Sequence, residues 1–337
     1  MNREVYLVAR PAPAVTPDLF ELRDAPMPEP GPGQVLIRVI YLSVDPAMRG
    51  WIADAPNYRD PVPLDSVMPG FTVGEVAASN NPDYALGDLV TGRQGWRAWA
   101  LSDGSDIDRK VDPKACPLTA HLHVLGLTGV TAYLGLLEVG QPKAGETVVV
   151  STAGGAVGSA VGQIAKIKGC RTVGIAGSDD KVKACLERFG FDAAINYKTC
   201  PDLSAALAAA CPDGVDVYFD NVGGPISDAV MERINVAARI VICGTIGISS
   251  TDAQGPRYQR QLLVKRARAE GFLVLDHMGR KQQAVADLEA WLADGKINYL
   301  EDITEGLERA AEALCNMLAG KNSGKAIVRV GPEPKPA

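Results

Sequence analysis

The pattern of apolar and polar positions changes character about a third of the way along the chain. The first part, to about residue 120, is rich in proline and glycine and carries short β-favouring runs between turn signals. These runs span residues 5–9, 34–42, 73–77, 88–92 and 96–101. Short strands broken up by turns predict an irregular β-barrel or a partly open sheet.

From about Leu122 the chain alternates apolar, strand-like runs with helix-like stretches. The strand-like runs span residues 147–151, 171–176, 215–220 and 239–242, and helix-like stretches span 156–168 and 179–189. A further strand at 271–275 and a helix at 281–294 complete this part, before residues 297–330 return to a mixed pattern. Such alternation is typical of an α/β domain in which helices cover both faces of a doubly wound parallel sheet.

Length and composition narrow the class of protein. A chain of 337 residues is long enough for roughly two domains. Its 47% hydrophobic and 22% charged residues argue against a fibrous or largely disordered protein. The net charge of -6 lacks the basic excess that nucleic-acid binding usually requires. No apolar run approaches the ~20 residues needed to cross a bilayer, so we expect neither nucleic acid nor a membrane as partner.

Cysteine and histidine usage gives no sign of a metal site. The seven cysteines form no CxxC pair, and the chain begins without a basic and apolar leader, which predicts a reducing, cytoplasmic location. Zinc needs about three or four ligands from Cys, His, Asp or Glu, and the three histidines are isolated. His121 and His123 would point to different faces of a helix, so we interpret both as structural.

The strongest chemical signal is the segment TVVVSTAGGAVGSAVGQIAKIKG, in which an apolar strand runs through a glycine-rich turn into a helix. The turn contains Gly155, Ala156, Val157 and Gly158, and Ala153 takes the place of the first glycine of the usual fingerprint. Glycine permits close approach of the backbone, and a helix start offers unpaired N–H groups. This context predicts that the turn binds the pyrophosphate of a dinucleotide.

The end of the next strand bears on which dinucleotide binds. An acidic residue there would hydrogen-bond the adenosine ribose of NAD, but the strand ends in Gly177-Ser178. The small residue leaves room for a ribose phosphate, which Ser178 and Lys181 could contact. NADP is therefore favoured, although Asp179 and Asp180 lie close enough in sequence to leave NAD open.

Several rarer strings accompany the turn in a fixed order. They are YLSVDPAMRG (41–50), GLTGVTAYLGLLEVG (126–140), AGGAVGSAVGQIAK, AGSDDKV, INYK, YFDNVGG (218–224), ICGTIG and GKNSGKAIV. With them the chain resembles, over nearly its whole length, the medium-chain dehydrogenase/reductase superfamily. It is most similar to the zinc-independent branch of leukotriene B4 dehydrogenase/prostaglandin reductase, the alkenal double-bond reductases.

The resemblance implies a domain organisation and a partner. A GroES-like β-barrel catalytic domain would comprise residues 1–124, completed by 297–331. A Rossmann domain that binds NADPH would span 125–296. Residues 332–337, rich in proline, are expected to be disordered. A homodimer is also implied. Where zinc alcohol dehydrogenases carry a cysteine ligand, the matching turn reads Ser43-Val44-Asp45-Pro46.

The same resemblance implies cofactor-binding roles for individual residues. Lys181 and Tyr197 would hold the adenosine 2′-phosphate, and Asn221 and Asn322 would contact the nicotinamide end. A loop from Cys243 to Ile248 and a strand would line the nicotinamide face. The residues expected to contact the cofactor there are Cys243, Gly244, Thr245, Ile246, Phe272, Leu273 and Val274.

A metal-free hydride donor suits reduction of a C=C bond that a carbonyl activates. Hydride would reach the β-carbon of an α,β-unsaturated aldehyde or ketone, and a hydrogen-bond donor would stabilise the enolate oxygen. Tyr258 is our candidate for that donor. Quinone reduction and oxidation of an allylic or secondary alcohol are alternatives within the same fold. A non-catalytic NADPH sensor is a further one, favoured by Ala47 and Val264 where relatives carry pocket tyrosines.

Overall fold

A computed structural model describes residues 1–12, 14–55, 57–247 and 255–334. The chain divides into two units, one formed by Met1–Leu122 with Glu301–Ala337 and the other by His123–Leu300. The sequence placed these boundaries at 124/125 and 296/297. We call the two parts unit 1 and unit 2.

The described residues of unit 1 form ten strands and two α-helices. The strands are β1 (Asn2–Leu7), β2 (Phe20–Ala25), β3 (Val35–Ser43), β4 (Ser66–Val67), β5 (Thr72–Ser79), β6 (Leu89–Gly92), β7 (Trp99–Ser102), β8 (Ile107–Lys110), β15 (Glu301–Glu305) and β16 (Lys325–Arg329). The helices are α1 (Met48–Ile52) and α9 (Ala310–Leu318), with 3₁₀ turns at Pro17–Leu19, Leu118–Leu122 and Leu307–Arg309. The order β2-β1-β4 forms one sheet, and β15-β16-β3-β5-β6-β8 forms the other, to which β7 adds through β3.

The central strand of unit 1 is β3, which is apolar along its length because nearly all of its residues are buried. One edge of β3 pairs with β7 over Val35–Arg38 and with β16 over Tyr41–Ser43. Both partners fit on this edge because β3 is nine residues long: its first part pairs with β7, and its last part pairs with β16. The C-terminal strands thereby join the N-terminal sheet.

A buried ion pair joins the turn after β3 to the start of β16. Lys325 Nζ lies 2.9 Å from Asp45 Oδ1 and donates to the carbonyl oxygen of Val44 at 2.6 Å. Ser43 Oγ donates to the other Asp45 oxygen at 2.6 Å. The Lys325 side chain is only 2% exposed. The two charges therefore compensate each other where water cannot solvate them.

The end of the chain stays close to β3 as far as the structure describes it. Arg38 donates to the carbonyl oxygen of Pro332 at 2.6 Å, and the Tyr41 hydroxyl donates to Glu333 at 2.5 Å. These contacts lie within the segment 332–337 that the sequence assigned to a disordered tail. Residues 335–337 of that segment lie outside the described residues.

Unit 2 is a parallel six-stranded sheet with helices between the strands. The strands are β9 (Thr147–Ser151), β10 (Arg171–Ala176), β11 (Ala193–Asn196), β12 (Val215–Asp220), β13 (Ile234–Ile242) and β14 (Arg268–Gly271). The helices are α2 (Leu127–Leu134), α3 (Ala156–Ile167), α4 (Asp179–Lys183), α5 (Leu203–Ala210), α6 (Gly224–Met231), α7 (Gln259–Lys265) and α8 (Lys281–Ala293). Non-α turns occupy Gly135–Gly140, Ala184–Arg188 and Val274–Arg280. The strand order is β11-β10-β9-β12-β13-β14, which confirms the predicted α/β class.

Local sequence explains most of these elements. All five residues of β9 are buried, as expected for a central parallel strand. Ser178 caps α4 by accepting the backbone N–H of Lys181 at 3.3 Å. The expected helix over 179–189 is α-helical only to Lys183 and then widens into a π turn. It stops before Gly190, whose φ of +68° favours glycine.

The predicted strand over 271–275 is wrong in position. The strand is β14, and it ends at Gly271 because its register with β13 pairs Ile242 with Gly271. Residues 274–280 form a 3₁₀ turn instead. Within the described part of the chain, none of the helices is long and apolar enough to cross a membrane.

Replacing Lys325 with Met is expected to lower the free energy of unfolding by roughly 3 kcal/mol, because the Asp45 carboxylate then stays buried without its cation. Urea unfolding followed by tryptophan fluorescence measures this loss. The double variant D45N/K325M leaves no charge behind and should lose less. A double variant that is as unstable as K325M would contradict this account of the pair.

Candidate functional site

The carboxyl ends of the parallel strands define one edge of the unit 2 sheet. From the central strand β9 the chain runs outward through β10 and β11 on one side, and β12, β13 and β14 extend the sheet on the other. The strand order therefore reverses beside β9. Ligands of open α/β sheets bind at the carboxyl ends of the strands at this switch point.

The glycine-rich turn joins β9 to α3 at this edge. Gly155 is the N-cap of α3, with φ −89° and ψ 175°. A Cβ atom at Gly158 would lie 2.3 Å from the carbonyl oxygen of Thr152, so glycine is required for the helix to pack this close to the turn. The first backbone N–H groups of α3, at Ala156 and Val157 among others, have no acceptor within the helix. This bare helix start fits the pyrophosphate of a dinucleotide.

The ends of β10 and β11 bring four polar side chains to the same edge. A Cβ atom at Gly154 would lie 2.9 Å from Lys181 Cβ, so Lys181 stands directly over the glycine-rich turn. A Cβ atom at Gly177 would lie 3.1 Å from Tyr197 Cε1 and 3.4 Å from Lys198 Cε. These side chains all lie close to Gly154 or to Gly177. We call this set the phosphate cluster; it consists of Ser178, Lys181, Tyr197 and Lys198.

The phosphate cluster is a set of two ammonium groups and two hydroxyl groups. Tyr197 is 39% exposed, and Lys198 Nζ lies 6.0 Å from its ring centroid. Asp179 is one of the two carboxylates whose position in the sequence kept NAD as an alternative cofactor. It accepts a hydrogen bond from Asn196 Nδ2 at 2.7 Å. The donor set therefore fits a phosphate monoester. Sequence reasoning missed Lys198, although its place beside Tyr197 in INYK was a signal.

Asn221 lies directly after β12 and is held against the end of β9. Its Nδ2 donates to the carbonyl oxygen of Ser151 at 2.8 Å, and its backbone N–H donates to Ser151 Oγ at 2.8 Å. The loop after β13 is tied to the same place, because Cys243 N and Gly244 N donate to the carbonyl oxygen of Asp220. Burial, and then the Asp220 charge, raise the pKa of Cys243 to about 12, so the thiol stays protonated at neutral pH.

The remaining residues predicted around the nicotinamide lie in different surroundings. Phe272 is 6% exposed, and its ring lies 5.1 Å from that of His277. Leu273 and Val274 follow it, and Val274 is buried. Beyond Gly244 the loop continues through Thr245, which is exposed, and Ile246, whereas Ile248 lies outside the described residues.

Two further predicted residues stand apart from this edge in different ways. Asn322 belongs to unit 1, where its Nδ2 donates to the carbonyl oxygen of Gly324 at 2.7 Å. Tyr258 precedes α7 and packs on an apolar cluster of unit 2 together with Leu262. The Tyr258 hydroxyl is buried and has no hydrogen-bond partner among the described residues. The role of each stays a prediction.

The described residues contain no group of three or more His, Cys, Asp or Glu side chains that could hold a metal ion. His121 instead lies 2.8 Å from Arg109 Nη2 and 3.4 Å from Cys116 Sγ. His123 stacks edge-on against Tyr299.

The fold and the glycine-rich turn define a dehydrogenase/reductase of the two-domain type, and comparisons with known proteins specify its branch. Residues 3–109 match the family described as the N-terminal domain of oxidoreductase, and residues 156–293 match the family described as zinc-binding dehydrogenase. The chain is 43% identical over 336 residues to the NADPH-dependent curcumin reductase of Escherichia coli (strain K12), covering 98% of this chain and 97% of that protein.

Two further relatives agree. Prostaglandin reductase 1 of Sus scrofa is 43% identical, with 93% of this chain and 94% of that protein covered. The crystal structure of CurA in complex with NADPH from Vibrio vulnificus superposes with a TM-score of 0.93 at 43% identity, covering 98% of this chain and 100% of that chain. The chain therefore belongs to the medium-chain dehydrogenase/reductase superfamily, in the branch of curcumin, prostaglandin and alkenal reductases. The predicted resemblance is confirmed.

Proposed function

We propose that this protein is an NADPH-dependent reductase of the C=C bond of α,β-unsaturated aldehydes and ketones. The observation that carries the proposal is the 43% identity, over nearly the whole chain, to a protein named NADPH-dependent curcumin reductase. A relative of Nicotiana tabacum named 2-alkenal reductase (NADP(+)-dependent) is 41% identical and supports the same substrate class. The phosphate cluster supports NADPH as the cofactor, because only NADPH carries an adenosine 2′-phosphate.

In this proposal the chain holds each part of the cofactor with a different element. The N–H groups at the start of α3 bind the pyrophosphate, and the phosphate cluster binds the 2′-phosphate. Asn221 and the loop from Cys243 to Ile246 contact the nicotinamide end. Bound NADPH supplies the hydride. The protein orients the nicotinamide toward the reacting carbon.

The Tyr258 hydroxyl is proposed to donate a hydrogen bond to the carbonyl oxygen of the substrate, where negative charge develops. A buried hydroxyl without a partner is unfavourable in the free protein. The Tyr258 hydroxyl has no hydrogen-bond partner among the described residues. This supports the proposal that it donates to a bound ligand. A cytoplasmic location, inferred from the cysteine pattern, is part of the same proposal.

We also propose a homodimer formed through the free edge of the unit 2 sheet. The edge strand β14 is exposed at all four of its residues, and Leu263 on the preceding helix α7 is 77% exposed. An open strand edge beside exposed apolar side chains is a template for pairing with another strand. A second copy offers the same edge, so two copies related by a two-fold axis complement each other.

The binding of the 2′-phosphate is tested by removing the charge of Lys181 or Lys198. K181M and K198M should each weaken NADPH binding by about tenfold, because each loses a charge-assisted contact. Binding of NADH should change by less than about twofold, since NADH lacks that phosphate. Calorimetric titration of the two cofactors measures both values.

Lys183 provides the matched control for these variants. Lys183 lies on α4, as Lys181 does. Its side chain is 69% exposed and forms an ion pair with Glu187. K183M should bind both cofactors as the unchanged protein does. Equal losses of NADH and NADPH affinity in K198M would contradict the assignment of Lys198 to the 2′-phosphate.

The reaction itself is tested by supplying an enone and a quinone separately with NADPH. We expect enone-dependent loss of NADPH absorbance, and a product that mass spectrometry and NMR identify as the saturated carbonyl compound. An allylic alcohol as product, or a quinone turned over much faster than any enone, would favour the alternative reductases. Binding of NADPH without turnover of any acceptor would indicate a sensor.

The dimer is tested by light scattering coupled to gel filtration. We expect a mass of two chains for the unchanged protein and of one chain for L263E, because a carboxylate cannot be buried at the contact without a partner. L86E is the control, since Leu86 is similarly exposed, at 74%, but lies in unit 1. An unchanged mass for L263E would argue against this edge as the interface.

A further inference from the structure

Asp220, the last residue of β12, carries a buried carboxylate whose partners among the described residues are all neutral. The residue is 5% exposed, and its carboxylate oxygens accept hydrogen bonds from hydroxyl and backbone N–H groups. Burying a carboxylate is strongly unfavourable unless donors compensate for the lost water. Five donors do so here, and each belongs to an element at the carboxyl edge of the sheet.

The Oδ1 atom of Asp220 accepts most of these hydrogen bonds. It accepts the backbone N–H groups of Val222 and Gly223, each at 2.9 Å, and the hydroxyl of Tyr218 at 3.0 Å. Ser151 Oγ also donates to it, at 3.2 Å. The carboxylate therefore fixes the turn that contains Asn221 and joins that turn to the end of β9.

The Oδ2 atom and the backbone of Asp220 extend the network to α6 and to the loop after β13. Ser227 Oγ, on α6, donates to Oδ2 at 2.5 Å. The carbonyl oxygen of Asp220 accepts the N–H groups of Cys243 at 2.8 Å and Gly244 at 3.1 Å. Gly247 N donates to the carbonyl oxygen of Val222 at 2.9 Å, which closes the same loop onto the turn.

The protonation states of the neighbours suit this arrangement. Burial, with a smaller contribution from the Asp220 charge, raises the pKa of Tyr218 well above its ordinary value. The Tyr218 hydroxyl therefore keeps its proton and stays a donor at neutral pH. The donors are neutral, so the carboxylate is stabilised by oriented dipoles rather than by a cation.

We propose that Asp220 is a positioning residue, whose carboxylate holds the turn of Asn221 where it contacts the nicotinamide end of NADPH. The loop after β13 rests on that turn through the backbone carbonyl oxygens of Asp220 and Val222. This inference rests on the proposed function. The Ser151 side chain is the link, because the same hydroxyl donates to Asp220 and accepts the backbone N–H of Asn221. The phosphate cluster, which lies after β10 and β11 and on α4, makes no hydrogen bond to this carboxylate.

The chain contains a matched control on the same strand. Asp216 lies toward the other end of β12, and its carboxylate accepts the backbone N–H of Thr147 and Nδ2 of Asn235, each at 2.8 Å. Asp216 has a comparable structural role at the amino ends of the strands. D216N should therefore lower stability without altering the nicotinamide region.

The experiment compares D220N with D216N by calorimetric titration of NADPH and of 2′,5′-ADP, which contains only the adenosine part. We expect D220N to weaken NADPH binding about tenfold. The amide has one acceptor oxygen instead of two and no negative charge, so the turn of Asn221 is held less firmly. Binding of 2′,5′-ADP should change by less than about twofold. The fluorescence emission of bound NADPH, which reports the nicotinamide surroundings, should also change in D220N and stay unchanged in D216N.

S151A provides a second route if D220N does not fold, because it removes the link and leaves the carboxylate in place. It should weaken NADPH but not 2′,5′-ADP. Equal effects on both ligands, or none on either, in S151A or in folded D220N would overturn the inference. Failure of the unchanged protein to bind NADPH would overturn the proposed function as well, so the two failures are distinguishable.

Discussion

The close approach of α3 to the turn after β9 is the constraint on which the candidate site depends. At Gly158 a single extra carbon atom would collide with the carbonyl oxygen of Thr152. Because the helix start is held this near to the central strand, its unpaired N–H groups face the sheet edge where the order of strands reverses. The other residues of unit 2 that we propose to contact the cofactor follow the carboxyl ends of the neighbouring strands.

Two kinds of electrostatics operate along the same sheet edge. On one side, the exposed Tyr197 and the lysines of the phosphate cluster offer charges and hydroxyl groups that suit a doubly charged, hydrated ligand group. On the other side of β9, Asp220 is buried, and its carboxylate accepts hydrogen bonds from neutral donors of the described residues. The first arrangement is suited to binding a charged group, whereas the second is suited to fixing the shape of a turn. In our proposal, recognition and positioning therefore belong to opposite halves of one sheet.

The sequence predicted the elements whose signals are local. The three valines of β9, the glycines that follow and the Ser178 cap are readable within a few residues, and the structure contains them as expected. The position of β14 was not readable, because its end is set by pairing with β13. Lys198 becomes relevant only when the parallel register brings Asn196 beside Ala176, so that the two strand ends meet.

The Asp220 network was likewise outside the reach of sequence reasoning, because Ser151 lies 69 residues away along the chain. The ion pair of Lys325 and Asp45 spans still more, since its partners are 280 positions apart along the chain. Unit 1 therefore remains incomplete on the ribosome until the final strands emerge, whereas unit 2 is a continuous segment whose residues are all synthesised earlier. During translation β3 therefore lacks its partner β16 until unit 2 has been synthesised, and a strand edge exposed in this way is prone to aggregation.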